Sequence, residues 1–175
     1  LTTRPLNEID IISFSSVCQT LSTKPLLIEL ARGKHCQQPM ATAHFQGESG
    51  KVLAFANDLA NRFEALGFPI QRMKVEVPLL ALPINTTLSS NGVCYFEWHG
   101  KLKLHHKSDL LKLCEKYRSH LSRNAIRGEN DLRFVSIRQA VGDKQVFVDF
   151  VNRFVNDLTA NGWPIIDQQF EHCIY

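Results

Sequence analysis

The sequence predicts an α+β fold, internally duplicated, in a ferredoxin-like arrangement with a mainly antiparallel sheet and helices on one face. Three observations predict it. ALGFPI at residues 65–70 and ANGWPI at 160–165 close two apolar, helix-like runs with the same punctuation. Around them, FANDLANRFEALGFPIQRMKVEV (55–77) and FVNRFVNDLTANGWPIIDQQFEH (150–172) align without a gap at an offset of 95, and 8 of 23 positions are identical. Read from residue 40, the elements run strand, helix, strand, strand, helix, strand, which is the ferredoxin-like order.

Composition sets the outer limits. The 175 residues suit one ordinary domain, or two small halves sharing a core. With 44% hydrophobic and 21% charged residues the chain is of globular composition. Its longest apolar runs, such as VPLLALPI (77–84), fall far short of the roughly 20 residues of a membrane span. The start, LTTRPLNEID, lacks the apolar stretch of a signal peptide. A cytoplasmic protein without membrane association is expected. Cys18, Cys36, Cys94, Cys114 and Cys173 are scattered without Cys-x-x-Cys spacing, so reduced thiols are expected, with no metal and no cofactor.

Taken in order, residues 1–24 read as an N-terminal extension, and 25–175 as a single duplicated domain with half-repeats 25–77 and 94–175 and a link over 78–93. In the first half IELARGK (28–34) and MATAHFQ (40–46) read as strands joined by the turn GKHCQQP. Val52, Phe55, Leu59, Phe63 and Leu66 recur at helical spacing, and Gly67 with Pro69 ends that helix. A strand follows over 70–77, where residue character alternates. In the second half FEWHGK (96–101) resembles IELARGK, RFVSIRQ (133–139) matches MATAHFQ, and Phe147, Phe150, Phe154 and Leu158 mark the second copy of the helix, ended by Gly162 and Pro164. Residues 103–131 read as an insert peculiar to this half. It carries a helix capped by Ser108, with Leu110, Leu113, Cys114, Tyr117 and Leu121 on one face.

Function is less legible. Ten basic residues against five acids give residues 94–142 a net charge of +5, leaving −2 for the rest of a chain whose total is +3. A field of that sign attracts anions. On the strand beginning at Tyr95, the residues Tyr95, Glu97, His99 and Lys101 alternate with Phe96, Trp98 and Leu102, so a row of polar side chains lines one face. Such a row binds an anion or exchanges protons, or it is a solvated face with cross-strand ion pairs. His105, His106 and Lys107 precede a helix start, whose free amides suit phosphate or carboxylate; a polar turn capped by Ser108 accounts for the same residues. HLSRN (120–124) contains a His-x-Ser that resembles half of the paired motif of two-histidine phosphoesterases. It falls at a helix end and lacks its partner, since His44 is followed by Phe and Gln, and His120 and Arg123 there also serve a helix C-terminus.

The expectation is a non-enzymatic ligand-binding or regulatory domain, with a small-anion site for phosphate or a nucleotide drawn from His99, Lys101, His105, His106, Lys107, His120 and Arg123. No catalytic residue is assigned. One alternative is a phosphoesterase-type enzyme using His99 or His120. Another is an RNA-binding module, favoured by element order and basic charge and opposed by RFVSIRQ, which has one aromatic where the RNA-recognition signature has several. Nucleic acid is therefore not the favoured partner, and a homodimer is kept open.

YFEWHGKLKL, HLSRNAIR, RFVSIRQ and the terminal EHCIY together resemble a family of uncharacterised bacterial proteins with no assigned activity. The resemblance covers most of the chain beyond residue 25. It implies a bacterial source, more narrowly a cyanobacterial one, and supplies no site residues. With Tyr175 read as lying in a strand, little of the fold is expected to be missing.

Overall fold

The structure, a computed structural model, describes residues 1–33, 36–88, 94–127 and 131–174. Lys34 and His35 of the first turn, residues 89–93 of the link, Glu129 of the basic segment and the final Tyr175 lie outside the described residues. The fold is mixed α+β with antiparallel strand pairing and four α-helices among the described residues. It divides into two compact units, Leu1–Val75 with Asn124–Gly128, and Glu76–Arg123 with Glu129–Tyr175.

The first unit runs β1 (Thr2–Thr3), α1 (Glu8–Thr20), β2 (Lys24–Leu30), β3 (Gln37–Thr42), α2 (Ser49–Ala65) and β4 (Ile70–Arg72). α1 starts where the Asn7 side chain accepts a 2.8 Å hydrogen bond from the Asp10 amide, one of the donors a helix start leaves unpaired. Phe14 and Cys18, four residues apart, turn inward, as do Leu59 and Phe63 of α2. β2 and β3 pair from Lys24↔Thr42 to Glu29↔Gln37, and the strands lie in the order β4-β1-β3-β2. Both helices close on one core with Leu6, Leu21, Ala41 and Phe68, in which the Phe14 ring meets those of Phe63 and Phe68 at 5.8 and 5.3 Å. Each buried Leu or Phe among them contributes about 1.5–3 kcal/mol by leaving water. Within this unit the Leu27 amide donates to Asn124 Oδ1 at 3.2 Å.

The second unit runs β5 (Glu76–Pro78), β6 (Thr87–Leu88), β7 (Tyr95–Lys103), α3 (Lys107–Lys116), β8 (His120–Asn124), β9 (Leu132–Gln139), β10 (Gly142–Asp143), α4 (Lys144–Ala160) and β11 (Asp167–Cys173). Its sheet has the order β8-β9-β7-β11-β5, with β6 and β10 as a separate ribbon. Phe96, Trp98 and Leu102 of β7 are fully buried in one core with Leu110 and Cys114 of α3 and Phe147, Val151, Phe154 and Leu158 of α4. Gly100 belongs to the same face because a Cβ there would run into the Trp98 ring. α4 starts at Asp143, whose Oδ1 accepts from the Gln145 and Val146 amides at 2.7 and 3.3 Å.

Two turns repeat bond for bond. Gly67 and Gly162 both have φ 88°, and the amides of Phe68 and Trp163 reach back to Phe63 O and Leu158 O at 2.9 Å each. At an offset of 96, Ser22 and Arg118 take left-handed φ values of 52° and 51°. The following amides, of Thr23 and Ser119, donate to Cys18 O and Cys114 O at 2.8 Å each. The Thr23 and Ser119 hydroxyls donate to the same two carbonyls. Matched on these turns, β1-α1-β2-β3-α2-β4 of the first unit and β7-α3-β8-β9-α4-β11 of the second, leaving aside β5, β6 and β10, both run strand, helix, strand, strand, helix, strand. The first strand of each lies between the third and the fourth, β4-β1-β3-β2 and β11-β7-β9-β8.

Several sequence expectations change as a result. α1 follows β1 in the first unit as α3 follows β7 in the second, so a helix at this place is not peculiar to the second half, and residues 1–24 supply a strand, a helix and core residues of the first unit. Exposed Ile9 and Ile12, at 75% and 71%, blur the apolar stripe of α1 and hide it in the sequence. The strand matched to FEWHGK is the second strand of its unit, not the first. α3 stops at Lys116 although apolar spacing continues to Leu121, because Arg118 is left-handed and Ser119 bonds back to Cys114. HLSRN is therefore strand β8, not a helix end. Ser108 is not the cap; His106 occupies the N-cap position and makes no side-chain capping bond. The strand expected over 70–77 divides, with Ile70 and Arg72 pairing to β1 and Glu76–Pro78 to β11. Among the described residues no helix is long and apolar enough to cross a membrane.

Candidate functional site

In antiparallel pairs, directly opposed residues point to the same face. On the second unit's sheet, the face opposite Phe96, Trp98 and Leu102 therefore carries Glu171, Glu97 and Arg138 in one row, and Gln169, His99, Ser136 and His120 in the next. β5 adds Glu76, opposite Cys173 of β11.

Glu97 anchors this face. Its side chain has no exposed surface, and Arg138 donates from Nε to its Oε1 at 2.5 Å. Burial, the largest single influence, disfavours the Arg138 charge, but Glu97 together with Tyr95 and Cys173 outweighs it, so the guanidinium pKa stands above its ordinary value. The same guanidinium lies over the Tyr95 ring, 5.4 Å from its centroid.

His99 sits at the centre. Its Nδ1 is hydrogen-bonded to Ser136 Oγ at 2.8 Å, while Nε2 stands 3.5 Å from Glu171 Oε2 and 3.7 Å from Glu97 Oε1. Both separations exceed hydrogen-bond length. Each of Glu76, Glu97, His99 and Glu171 places one donor atom within 4.8 Å of the other three. One buried carboxylate (Glu97), one partly buried (Glu171), one exposed (Glu76) and a partly buried imidazole are donors suited to a cation. As a Ser–His–carboxylate set for nucleophilic chemistry, the same residues lack the close His–carboxylate bond that orients a general base.

The sequence-predicted residues are not gathered into one site. His99, Lys101 and His120 share this face, with Lys101 opposite Phe134 and Asp167 and with His120 two strands from His99. Arg123, an odd number of residues from His120 on β8, belongs to the other face, where it lowers the Arg133 pKa after the larger effect of that group's burial. His105, His106 and Lys107 lie past the end of β7. At about 3.3 Å per residue even Lys103 is ~13 Å from His99. The His105 carbonyl accepts the Trp163 indole N–H at 2.7 Å, and His106 is the left-handed N-cap of α3.

A surface cavity of about 260 Å³ lies elsewhere, lined by Asp109, Lys112, Leu113, Lys116, Asn161 and Trp163. Both of its lysines are held by carboxylates, Lys112 by Asp109 at 3.1 Å and Lys116 by Asp157 at 2.7 Å. The sequence also places Glu76 beside the row of Tyr95, Glu97, His99 and Lys101, whereas Ser136, Arg138 and Glu171 are missed as site residues because β9 and β11 contribute them. One signal was present: Glu76 and Glu171 are an identical pair in the repeat. Comparison with protein-family models, with curated proteins and with solved structures gives no match.

Proposed function

We propose that the chain is a non-enzymatic binding domain of two ferredoxin-like units related by duplication, with its ligand site at His99, on the face of the second unit's sheet opposite α3 and α4. The duplication is supported by the two repeated turns and by the strand order common to both units. The site is supported above all by Glu97, a carboxylate with no exposed surface on that face, held by Arg138 and bordered by His99 and Glu171. Carboxylates are almost never fully buried unless paired, and a merely solvated face does not enclose one. The three carboxylates favour a cationic or polar ligand at His99 over the small anion expected from the basic segment. A binding role accords with the His99 geometry, which holds the ring by Ser136 without a close carboxylate to drive proton transfer.

Titration of isotopically labelled full-length chain, followed by amide and imidazole NMR shifts, tests this reading. The ligands are inorganic phosphate, a nucleotide, single-stranded RNA and divalent cations, each at two salt concentrations. Saturable shifts centred on Glu97, His99, Ser136 and Glu171 are expected. Shifts centred on His105–Lys107, or no saturable shifts, would overturn it. Hydrolysis of a phosphoester lost in His99→Ala or His120→Ala would replace it with the enzyme reading, and steeply salt-sensitive RNA binding with the nucleic-acid reading.

A further inference from the structure

We propose that Glu76, Glu97, His99 and Glu171 bind one divalent transition-metal ion of the Zn²⁺ or Mn²⁺ class. The inference rests on the reading of this face as a ligand site and names the ligand.

The imidazole distinguishes this group from a cluster of surface carboxylates. Its Nδ1 is already engaged by Ser136, and Nε2 is directed toward Glu97 and Glu171 at 3.7 and 3.5 Å. These lengths are too great for hydrogen bonds, and they match two ligands sharing an ion. With metal–ligand bonds of about 2.0–2.2 Å, donor atoms at a tetrahedral angle stand about 3.4 Å apart. Glu76 brings a fourth donor within the same 4.8 Å limit.

Electrostatics agree with the geometry. Glu97 and Glu171 are directly opposed across β7 and β11, a placement of like charges that a shared cation relieves. Arg138 neutralises one of the three carboxylates in the group. A divalent ion binds beside it with the imidazole neutral, which is the form that ligates metal. A single imidazole among carboxylate oxygens selects a borderline transition ion over Mg²⁺ or Ca²⁺, which take all-oxygen sets.

The outer contacts have the form such a site requires. Ser136 at Nδ1 fixes the imidazole's orientation, and Arg138 bonds a Glu97 oxygen and holds that carboxylate in place. Sequence spacing cannot reveal the group, because β5, β7 and β11 deliver its members across the sheet.

The test uses metal-stripped full-length chain titrated with ZnCl₂, MnCl₂, MgCl₂ and CaCl₂ by calorimetry, with Mn²⁺-induced NMR line broadening to locate the ion. One equivalent of Zn²⁺ or Mn²⁺ is expected, with broadening centred on His99, Ser136 and Glu171. Ser136→Ala should weaken it about 10–100-fold as an outer contact, His99→Ala and Glu171→Gln more than that. His105→Ala/His106→Ala, more than three residues from the group in sequence and on a different element, should leave it unchanged. Far-UV circular dichroism of each variant separates lost ligation from lost folding. Undiminished binding in His99→Ala and Glu171→Gln would overturn the proposal, as would no binding of any of the four ions. If ions fail while another ligand shifts these same residues, the metal falls and the ligand face stands; if nothing shifts them, both fall.

Discussion

Glu76 and Glu171 occupy equivalent positions of the two repeated segments, 95 residues apart, and both contribute a carboxylate to the single cluster around His99. The first repeat ends by handing its last strand, β5, to the sheet of the second unit, where Glu76 pairs opposite Cys173. Residues 95 positions apart in the aligned segments thus meet in one cluster.

Removing the Arg138 charge should cost more than removing the pair. Arg138→Ala removes the guanidinium that faces buried Glu97, and breaking a buried pair costs about 3–5 kcal/mol. With the Arg138 side chain 44% exposed, the low end of that range is expected, and Arg138→Ala/Glu97→Gln should recover part of it. Denaturant unfolding of the two variants measures the difference.

Gly100→Ala should destabilise the second unit by about 1–3 kcal/mol, because the added methyl overpacks the core at the Trp98 ring. Tryptophan fluorescence of the native state and a thermal melt report the displaced ring and the lost stability together.

The paired glycines should behave alike. Gly67→Val and Gly162→Val each place a Cβ on a backbone with φ 88°, at a cost on the order of 1 kcal/mol or more. Arg118→Gly and Ser22→Gly, at left-handed positions without glycine, should be neutral or stabilising. Parallel effects in chemical denaturation are expected for each pair; opposite signs within a pair would separate the two turns.

His172 predicts a pH dependence of stability. Its ring packs 5.6 Å from Phe96, neither ring nitrogen has a hydrogen-bond partner among the described residues, and burial lowers its pKa. Between the lowered folded value and the unfolded value of about 6.5, the unfolded chain binds the extra proton. The contribution is therefore fully present above that unfolded value and is lost as pH falls through the folded one. His172→Phe should flatten this part of the stability profile, measured by urea midpoints from pH 7.5 to pH 5.

Local chemistry alone determined much of this protein. The α+β class, the helices over 49–65 and 144–160, their Gly-Pro stops and the polar face of β7 are all legible because helix periodicity, strand alternation and left-handed glycines act within a few residues. Tertiary structure decided the rest. α1 looked like an extension because Ile9 and Ile12 stay in water and only packing selects Phe14 and Cys18 as its inner side. Leu121 looked helical because its spacing fits, while one left-handed residue, Arg118, ends the helix and turns His120–Asn124 into a strand. The site depended on strand register, which sets Glu171 beside Glu97 and Ser136 beside His99. Register comes from hydrogen bonding between strands distant in sequence and leaves no local spacing to read; a strand shifted by one residue would send its own members of this cluster to the other face.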